Sequence, residues 1–281
     1  MSFVRAAERL GLSTTAVSRQ VAELERHLQT RLLQRTTRRI SLTEAGRLFH
    51  ARCVQILADL GDAEHEVGRE GAEPRGTIRL TTSVNFGTHQ VTPAIASFLA
   101  RHPQVRFDVS LSDRIVDIIE EGFDLAIRIG GTGAHNLVAR KLGETRLLAC
   151  AAPDYIARHG APAEPEELAR HNCLTYEYAL RDTWRFRDAA GHERTVRVAG
   201  SLNSNNSDLN VAAAVEGVGI ALEPDFIVGP ELKNGTLVPI LETFEAPALP
   251  IYAVYPSRRF LAAKVRAFVD FLAERFTGAK G

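Results

Sequence analysis

Residues 71–76, Gly71-Ala72-Glu73-Pro74-Arg75-Gly76, separate two stretches whose apolar residues recur at different periods. That change of period constrains the fold more than any other feature of the chain. Before the break the apolar spacing is helical, apart from one short extended run. After it, runs with the period of a strand alternate with runs with the period of a helix. One Pro and two Gly within six residues read as a flexible break and a domain boundary. The 281 residues suffice for about two domains at roughly 150 residues each.

Ahead of the break, Arg5 to Leu10 reads as a short helix with Ala6, Ala7 and Leu10 on its apolar face. Gly11 ends it, because Gly readily takes the left-handed C-terminal position. Ser13 caps a second helix from Thr14 to about His27. Val17, Val21, Leu24 and Leu28 follow one side of that helix, with Ala16 beside them. The opposite side shows Thr15, Ser18, Arg19 and Arg26. Two helices joined by a Gly turn, the second with a polar face, follow the helix-turn-helix pattern. Leu33 to Leu42 then reads as a tight β-ribbon, a wing, with Thr36, Thr37 and Arg38 at its tip. Arg and Thr there can donate hydrogen bonds to backbone phosphates; a surface hairpin with solvated Arg is the alternative.

Charge is placed unevenly. Lys+Arg and Asp+Glu are both 34, so the formal net charge is zero. Residues 1–50 nonetheless hold nine arginines (Arg5, Arg9, Arg19, Arg26, Arg31, Arg35, Arg38, Arg39, Arg47) against Glu8, Glu23, Glu25 and Glu44. The head therefore carries +5 and the remainder −5. A basic head on an acidic body points one end at a polyanion, and Arg suits phosphate forks and base edges. The balanced total excludes a wholly basic nucleic-acid coat or a polybasic membrane binder.

Thr43 can cap a long helix running to about Gly68. Along it Phe49, Cys53, Ile56, Leu60, Ala63 and Val67 are spaced 4, 3, 4, 3, 4, a heptad seam. Such a seam wants a partner helix, either its own copy or its own domain. Cys53 lies in it, so packing is its expected role. The other cysteines, Cys150 and Cys173, form no CxxC pair, which fits a reducing compartment. No apolar run approaches the ~18 residues of a membrane span. The start, Met1-Ser2-Phe3-Val4-Arg5, has no apolar secretory core. The expected address is the cytoplasm.

Behind the break, Thr77 to Thr82, Val105 to Leu111 and Leu125 to Ile129 read as strands. Val91, Ile95, Phe98 and Leu99 mark one helix face, and Ile115, Ile118 and Ile119 another. A second set follows. Leu147 to Ala151, Cys173 to Tyr176, Thr195 to Val198 and Gly219 to Leu222 read as extended. Tyr155 to Arg158, Pro165 to Arg170 and Ser207 to Glu216 read as helical. Ile251 to Tyr255 is a late strand, and Leu261, Val265, Phe268 and Leu272 mark the closing helix. Such βα repeats predict mostly parallel sheets covered by helices, as two α/β lobes with the second interrupting the first.

Residues 3–46 resemble the LysR-type transcriptional regulators. The stretches that carry the likeness are Ala6-Ala7-Glu8-Arg9-Leu10-Gly11-Leu12-Ser13, Ala16-Val17-Ser18-Arg19-Gln20-Val21, Leu24-Glu25, Arg31-Leu32-Leu33, Arg35-Thr36-Thr37-Arg38 and Leu42-Thr43-Glu44-Ala45-Gly46. The second part resembles the effector domain of the same family, itself similar to a periplasmic solute-binding protein. Here the matches are Gly76-Thr77-Ile78-Arg79-Leu80, Pro93, Phe98, His102-Pro103, Gly122-Phe123-Asp124-Leu125-Ala126-Ile127-Arg128 and Gly217-Val218-Gly219-Ile220-Ala221-Leu222-Glu223-Pro224.

The resemblance implies a multidomain chain. An all-α winged helix-turn-helix, incomplete at its start, spans 1–46 and a linker and dimerisation helix spans 43–70. A two-lobed α/β effector domain spans 76–281, with lobe I as 76–147 plus 250–276 and lobe II as 148–249. It also implies one further helix ahead of Ser2-Phe3. A head lacking that helix is expected to be poorly ordered alone, with Val4, Ala7 and Val21 partly uncovered. The linker seam implies a dimer or tetramer.

The start of the second helix should enter the major groove with Thr14, Thr15, Ser18 and Arg19, where Arg19 can fork to a guanine. Arg35, Thr36, Arg38 and Arg39 would hold phosphates. In open α/β sheets ligands sit beyond the carboxyl ends of strands. Thr81, Thr82, Ser83, Asn85 and Phe86 end the first strand of lobe I and lead into a helix, a setting for a carboxylate or similar anion. Capping alone is the plainer reading, but the resemblance implies that this loop contacts effectors. Arg128 could pair with an acidic ligand or form a structural ion pair. Across the cleft, Asn203, Asn205, Asn206 and Ser207 gather at a helix start, where capping needs only one of them.

Other chemistries fit less well. Gly130-Gly131-Thr132-Gly133 lacks the dinucleotide GxGxxG. The nine His show no HExxH or paired spacing, and no GxSxG elbow is present. No metal, cofactor or nucleophile–base pair is called for. The leading reading is a DNA-binding transcriptional regulator that senses a small molecule between two lobes. The alternative is a solute-binding module with a non-functional head. An enzyme on the α/β lobes ranks third.

Overall fold

A computed structural model of the chain describes residues 3–35, 40–50, 52–53, 56–57, 73–131, 137–178, 182–256 and 261–278. The chain divides into two compact units, Met1–Glu70 and Gly71–Gly281.

In the first unit a helix Phe3–Leu10 and a helix Thr14–His27 are joined at Gly11, whose φ of +64° is the left-handed value only Gly adopts without strain. The Ser13 hydroxyl accepts from the Ala16 amide at 3.1 Å and caps the second helix, an interaction typically worth about 1 kcal/mol. Strand β1 (Leu33–Arg35) pairs antiparallel with β2 (Ile40–Leu42), Leu33 opposite Leu42. The ribbon is tied to the second helix through Glu25, whose Oε1 accepts from the Leu32 and Leu33 amides at 2.8 and 2.9 Å. Below it, the Thr43 hydroxyl donates to Arg31 O at 2.7 Å and accepts from Gly46 N at 2.9 Å, which starts the next helix. A Cβ on Gly46 would lie 1.9 Å from Leu32 O, so only Gly lets these two segments approach. Ala7, Val17 and Leu32 are buried. Val4 is exposed and Val21 half-buried as expected, but Ala7 is not uncovered: the Gly11 turn folds the second helix back over it. Phe49 and Cys53 of the seam are half-buried and Ile56 is exposed, while Leu60, Ala63 and Val67 lie outside the described residues.

The second unit holds two five-stranded sheets. One has the order β4-β3-β5-β14-β6 and the other β11-β8-β12-β7-β13. In the first, β3 (Gly76–Thr82) lies parallel to β4 (Val105–Leu111) and to β5 (Leu125–Ile129). The chain leaves this sheet after β6 (Val138–Thr145) and enters the second at β7 (Leu147–Ala151). It returns as β14 (Leu249–Tyr255), antiparallel to both β5 and β6. In the second sheet β12 (Ile220–Pro224) is parallel to β8 (Cys173–Tyr176) and antiparallel to β7. The remaining strands of that sheet are β11 (Asn203–Ser204), parallel to β8, and β13 (Val238–Pro239), antiparallel to β7. Both sheets are therefore mixed rather than mostly parallel. Each strand that enters by a crossover from the other lobe arrives without a helical return that would set it parallel.

The first sheet buries Ile78, Leu80, Leu125 and Ile127 against a long helix built from Val84–Phe86, a π-helical turn Gly87–Val91 and Thr92–Arg101. The closing helix Ala263–Gly278 completes that core, with Phe98, Phe107 and Phe268 in edge contacts at 4.7–6.1 Å. The second sheet packs against the helices Pro153–His159, Ser207–Val215 and Asp225–Asn234. The ribbon β9 (Thr183–Arg187) and β10 (Glu193–Arg197) inserts Trp184 into that core, where it is buried.

One expected helix does not form. Residues 112–124 are turns, because Asp117 Oδ1 accepts from the amides of Ile119 and Glu120, both at 2.9 Å. That side-chain turn competes with the helical bonds, and Ile115 is left 79% exposed.

Candidate functional site

In the first unit Thr14, Thr15 and Arg19 are exposed on the opening turns of the Thr14–His27 helix, and Ser18 beside them is half-buried. Arg35 ends β1. Thr36, Arg38 and Arg39 lie outside the described residues. The Ser13 cap and the Glu25 tie hold the helix and the ribbon together. A helix whose first exposed residues are two hydroxyls and a guanidinium has the dimensions and donors for a major groove.

In the second unit a cavity of about 470 Å³ lies between the two sheets, at the carboxyl ends of β3, β5, β8 and β12. That is the volume of a small-molecule site. Its apolar wall is rich in aromatic rings: Phe86 from the first lobe, Tyr176, Tyr178, Trp184 and Phe226 from the second. Phe86 and Phe226 meet edge to face at 5.4 Å and close one side.

The polar groups converge from both lobes. Ser83, Asn85 and Arg128 line the cavity from the first, as expected, and Ser207 from the second. Asn85 is buried; its Oδ1 accepts from the Ser207 amide at 3.2 Å, while its Nδ2 has no acceptor in the protein. The Arg128 Nη1 donates to Arg114 O at 3.4 Å, and its buried Nη2 likewise has no protein acceptor. Burial lowers the pKa of Arg128, opposed by the charges of Glu121 and Asp113.

Three expected contacts are not on the wall. Thr82 is fully buried beneath it, on the core side of the strand end. Asn206 Oδ1 accepts from Leu209 N at 3.0 Å and so caps the Ser207–Val215 helix. Asn205 is exposed outside the cavity. In a cluster of amides at a helix start, the cap is taken by the residue just before the first helical turn.

Several lining groups were not singled out from the sequence. Asp113 accepts hydrogen bonds from the Tyr176 hydroxyl and the Val84 amide, joining the two lobes; burial nonetheless raises its pKa. Glu223, on β12, is buried, and desolvation pushes its carboxyl up to about 7. Ser207 and Asn210 bond to it, the latter through Nδ2 at 2.8 Å, and the carboxylate of Asp208 adds to the upward shift. The signal available for Glu223 was an acid inside the apolar run Gly219-Ile220-Ala221-Leu222-Glu223-Pro224. Asp113 offered none, since it stands just ahead of the helical spacing of Ile115, Ile118 and Ile119 and belongs to no motif. A second tie between the lobes joins His89 Nε2 to Asp208 Oδ1 at 3.0 Å.

Cys150 and Cys173 are buried thiols whose pKa burial pushes up to about 12. Among the described residues no group of three or more His, Cys, Asp or Glu is placed to hold a metal ion.

Residues 1–47 match the bacterial regulatory helix-turn-helix proteins of the lysR family, and residues 71–277 match the LysR substrate binding domain. The chain is 37% identical over 278 residues to the transcriptional regulator DmlR of Escherichia coli, covering 98% of this chain and 89% of that protein. It is 35% identical over 275 residues to CrgA of Neisseria meningitidis, covering 97% and 91%. The solved structure of CrgA superposes with a TM-score of 0.65 at 33% identity, over 98% of this chain and 94% of that one. The full-length virulence activator AphB of Vibrio cholerae superposes with a TM-score of 0.64 at 28% identity, over 96% and 93%.

Proposed function

Since the chain belongs to the LysR-type transcriptional regulators, which bind DNA, take small-molecule effectors in the substrate-binding domain and form oligomers, we propose a residue assignment for each of these tasks. The Thr14–His27 helix reads base edges with Thr14, Thr15, Ser18 and Arg19. Arg35, Thr36, Arg38 and Arg39 of the wing hold phosphates. Phe49, Cys53, Ile56, Leu60, Ala63 and Val67 form the dimer seam. The effector lies in the inter-lobe cavity, with its hydrogen-bond acceptors, a carboxylate best of all, toward Ser83, Asn85 and Arg128 and its apolar body against the aromatic wall. The family is one of regulators, and we extend that to this chain as regulation without turnover, at work in the cytoplasm. No described helix is long and apolar enough to cross a membrane.

One observation carries the effector assignment. Asn85 Nδ2 and Arg128 Nη2 are buried donors at one cavity wall with no protein acceptor. Unmet buried donors cost about 1–3 kcal/mol each, so a ligand supplying acceptors recovers that amount on binding. The DNA assignment is tested by salt titrations on duplex from the promoter next to the chain's own gene. Arg19→Ala is expected to erase the preference for that duplex over a scrambled one. Arg38→Ala is expected to weaken both duplexes alike and to lower the salt slope by about one. Equal loss of specificity in the two variants would sink the division of labour.

A further inference from the structure

We propose that the effector carries an amino group as well as an acceptor end: a small zwitterion of the amino-acid class with an apolar side chain, its ammonium held by Glu223. The proposal rests on the placement of the effector in the inter-lobe cavity.

The charges on the wall lead to it. Asp113, Arg128 and Glu223 are the ionisable acids and bases that line the cavity. Asp113 and Arg128 act on each other as opposite charges in one lobe. Glu223 comes from the other lobe, and no basic side chain is among the groups that act on it; the charge it feels is the like charge of Asp208. Its ionised form therefore gives the wall a net −1 with nothing to balance it. A purely anionic ligand would raise that to −2 in a buried site, which desolvation opposes. A zwitterion leaves the total at −1, and its ammonium pairs with Glu223 beside Tyr176, Tyr178 and Trp184, whose ring faces also favour a cation.

The first lobe's side of the cavity asks for acceptors. Asn85 is 5% exposed, lines the cavity and leaves Nδ2 unmet, as Arg128 leaves Nη2. Acceptors wanted by Asn85 and Arg128 of the first lobe and a cation wanted by Glu223 of the second describe a molecule with a carboxyl end and an ammonium. Asn210 and Ser207 fix the orientation of Glu223 from the helix beside it, so the carboxylate is held in place before ligand arrives.

The test uses the full chain and its single tryptophan, Trp184, which lines the cavity and reports occupancy by fluorescence. Three probes share one phenyl body: phenylalanine, 3-phenylpropanoate, which is phenylalanine without its amine, and uncharged 3-phenylpropanamide. Phenylalanine is expected to bind roughly tenfold or more tightly than 3-phenylpropanoate at pH 8, the factor of one charge-assisted hydrogen bond. Glu223→Gln should abolish that ratio by weakening phenylalanine to the level of 3-phenylpropanoate. If the acid and the amide bind but the amine brings no gain, or if the gain survives in Glu223→Gln, the amino-group proposal is overturned and the cavity assignment stands. If none of the three perturbs Trp184, both fail together. Should Glu223→Gln not fold, the ranking of the three probes on the wild-type chain decides by itself.

Discussion

Glu223→Gln should make the protein more stable at alkaline pH and leave it unchanged in acid. The carboxyl has an ordinary value of 4.5 in the unfolded chain and is pushed up to about 7 in the fold by burial. Between those values the folded state keeps a proton that the unfolded state releases, so the unfolded state binds fewer protons and stability falls as pH rises. The loss is absent below about pH 4.5, grows through the window to 7 and is complete above it. The gap between the two values, at about 1.36 kcal/mol per pH unit, amounts to about 3 kcal/mol. Gln has the same shape, keeps an oxygen for Asn210 Nδ2 and does not ionise. Urea denaturation of both forms at pH 4.5, 6 and 8 gives the variant-minus-wild-type difference at each pH, which cancels every other titration in the molecule. The expected sequence runs from near zero at pH 4.5 to about +3 kcal/mol at pH 8. A difference that does not change with pH would show that Glu223 ionises as freely in the fold as in water, and the desolvation reasoning would be wrong.

Other perturbations separate the parts of the molecule. Gly46→Ala forces a methyl against the Leu32 carbonyl; it should destabilise the head by about 3 kcal/mol or more and abolish DNA binding, while probe binding read by Trp184 is retained. Asn210→Ala removes the bond to Glu223 and one to Thr175 O; a loss of about 1–3 kcal/mol at pH 5, larger at pH 8 because the ionised carboxylate loses a donor, should appear in the same urea series. Thr43→Ala removes the cap on Gly46 N and the tie to Arg31 O, and a fall of about 1 kcal/mol in head stability is expected, measured by the protection of the Gly46 and Arg47 amides from exchange.

Reading the head from sequence succeeds because its determinants are local. Gly11 in a left-handed turn, Ser13 at a helix start and the Thr43 cap on Gly46 at the next act on residues within four positions of themselves. What sequence missed there is Glu25, which reads as an ordinary surface acid and instead holds the ribbon by two backbone amides. The effector domain shows the same division. Strands with apolar runs, β5, β7, β8 and β12, are legible because burial on both faces demands them. β6, β9 and β13 carry charge or Pro, and they become strands only because a neighbour's edge is there to pair with. Ile115, Ile118 and Ile119 have helical spacing, but the Asp117 side chain takes the amides a helix would need.

By itself, then, the sequence determined the classes of structure and the division at residues 71–76, since periodicity, caps and breaks are short-range properties. It also brought Ser83, Asn85, Phe86, Arg128 and Ser207 forward, because each sits at a strand end or helix start that local rules mark. Only the tertiary structure decided that both sheets are mixed, that Thr82 turns inward while Ser83 does not, and that Asp113, Tyr176, Trp184 and Glu223 share one cavity. Asp113 and Glu223 lie 110 positions apart in the chain, and they become unusual acids only when the packing of two lobes removes water from around them. Desolvation depends on everything that surrounds a group, and no stretch of sequence contains its own surroundings.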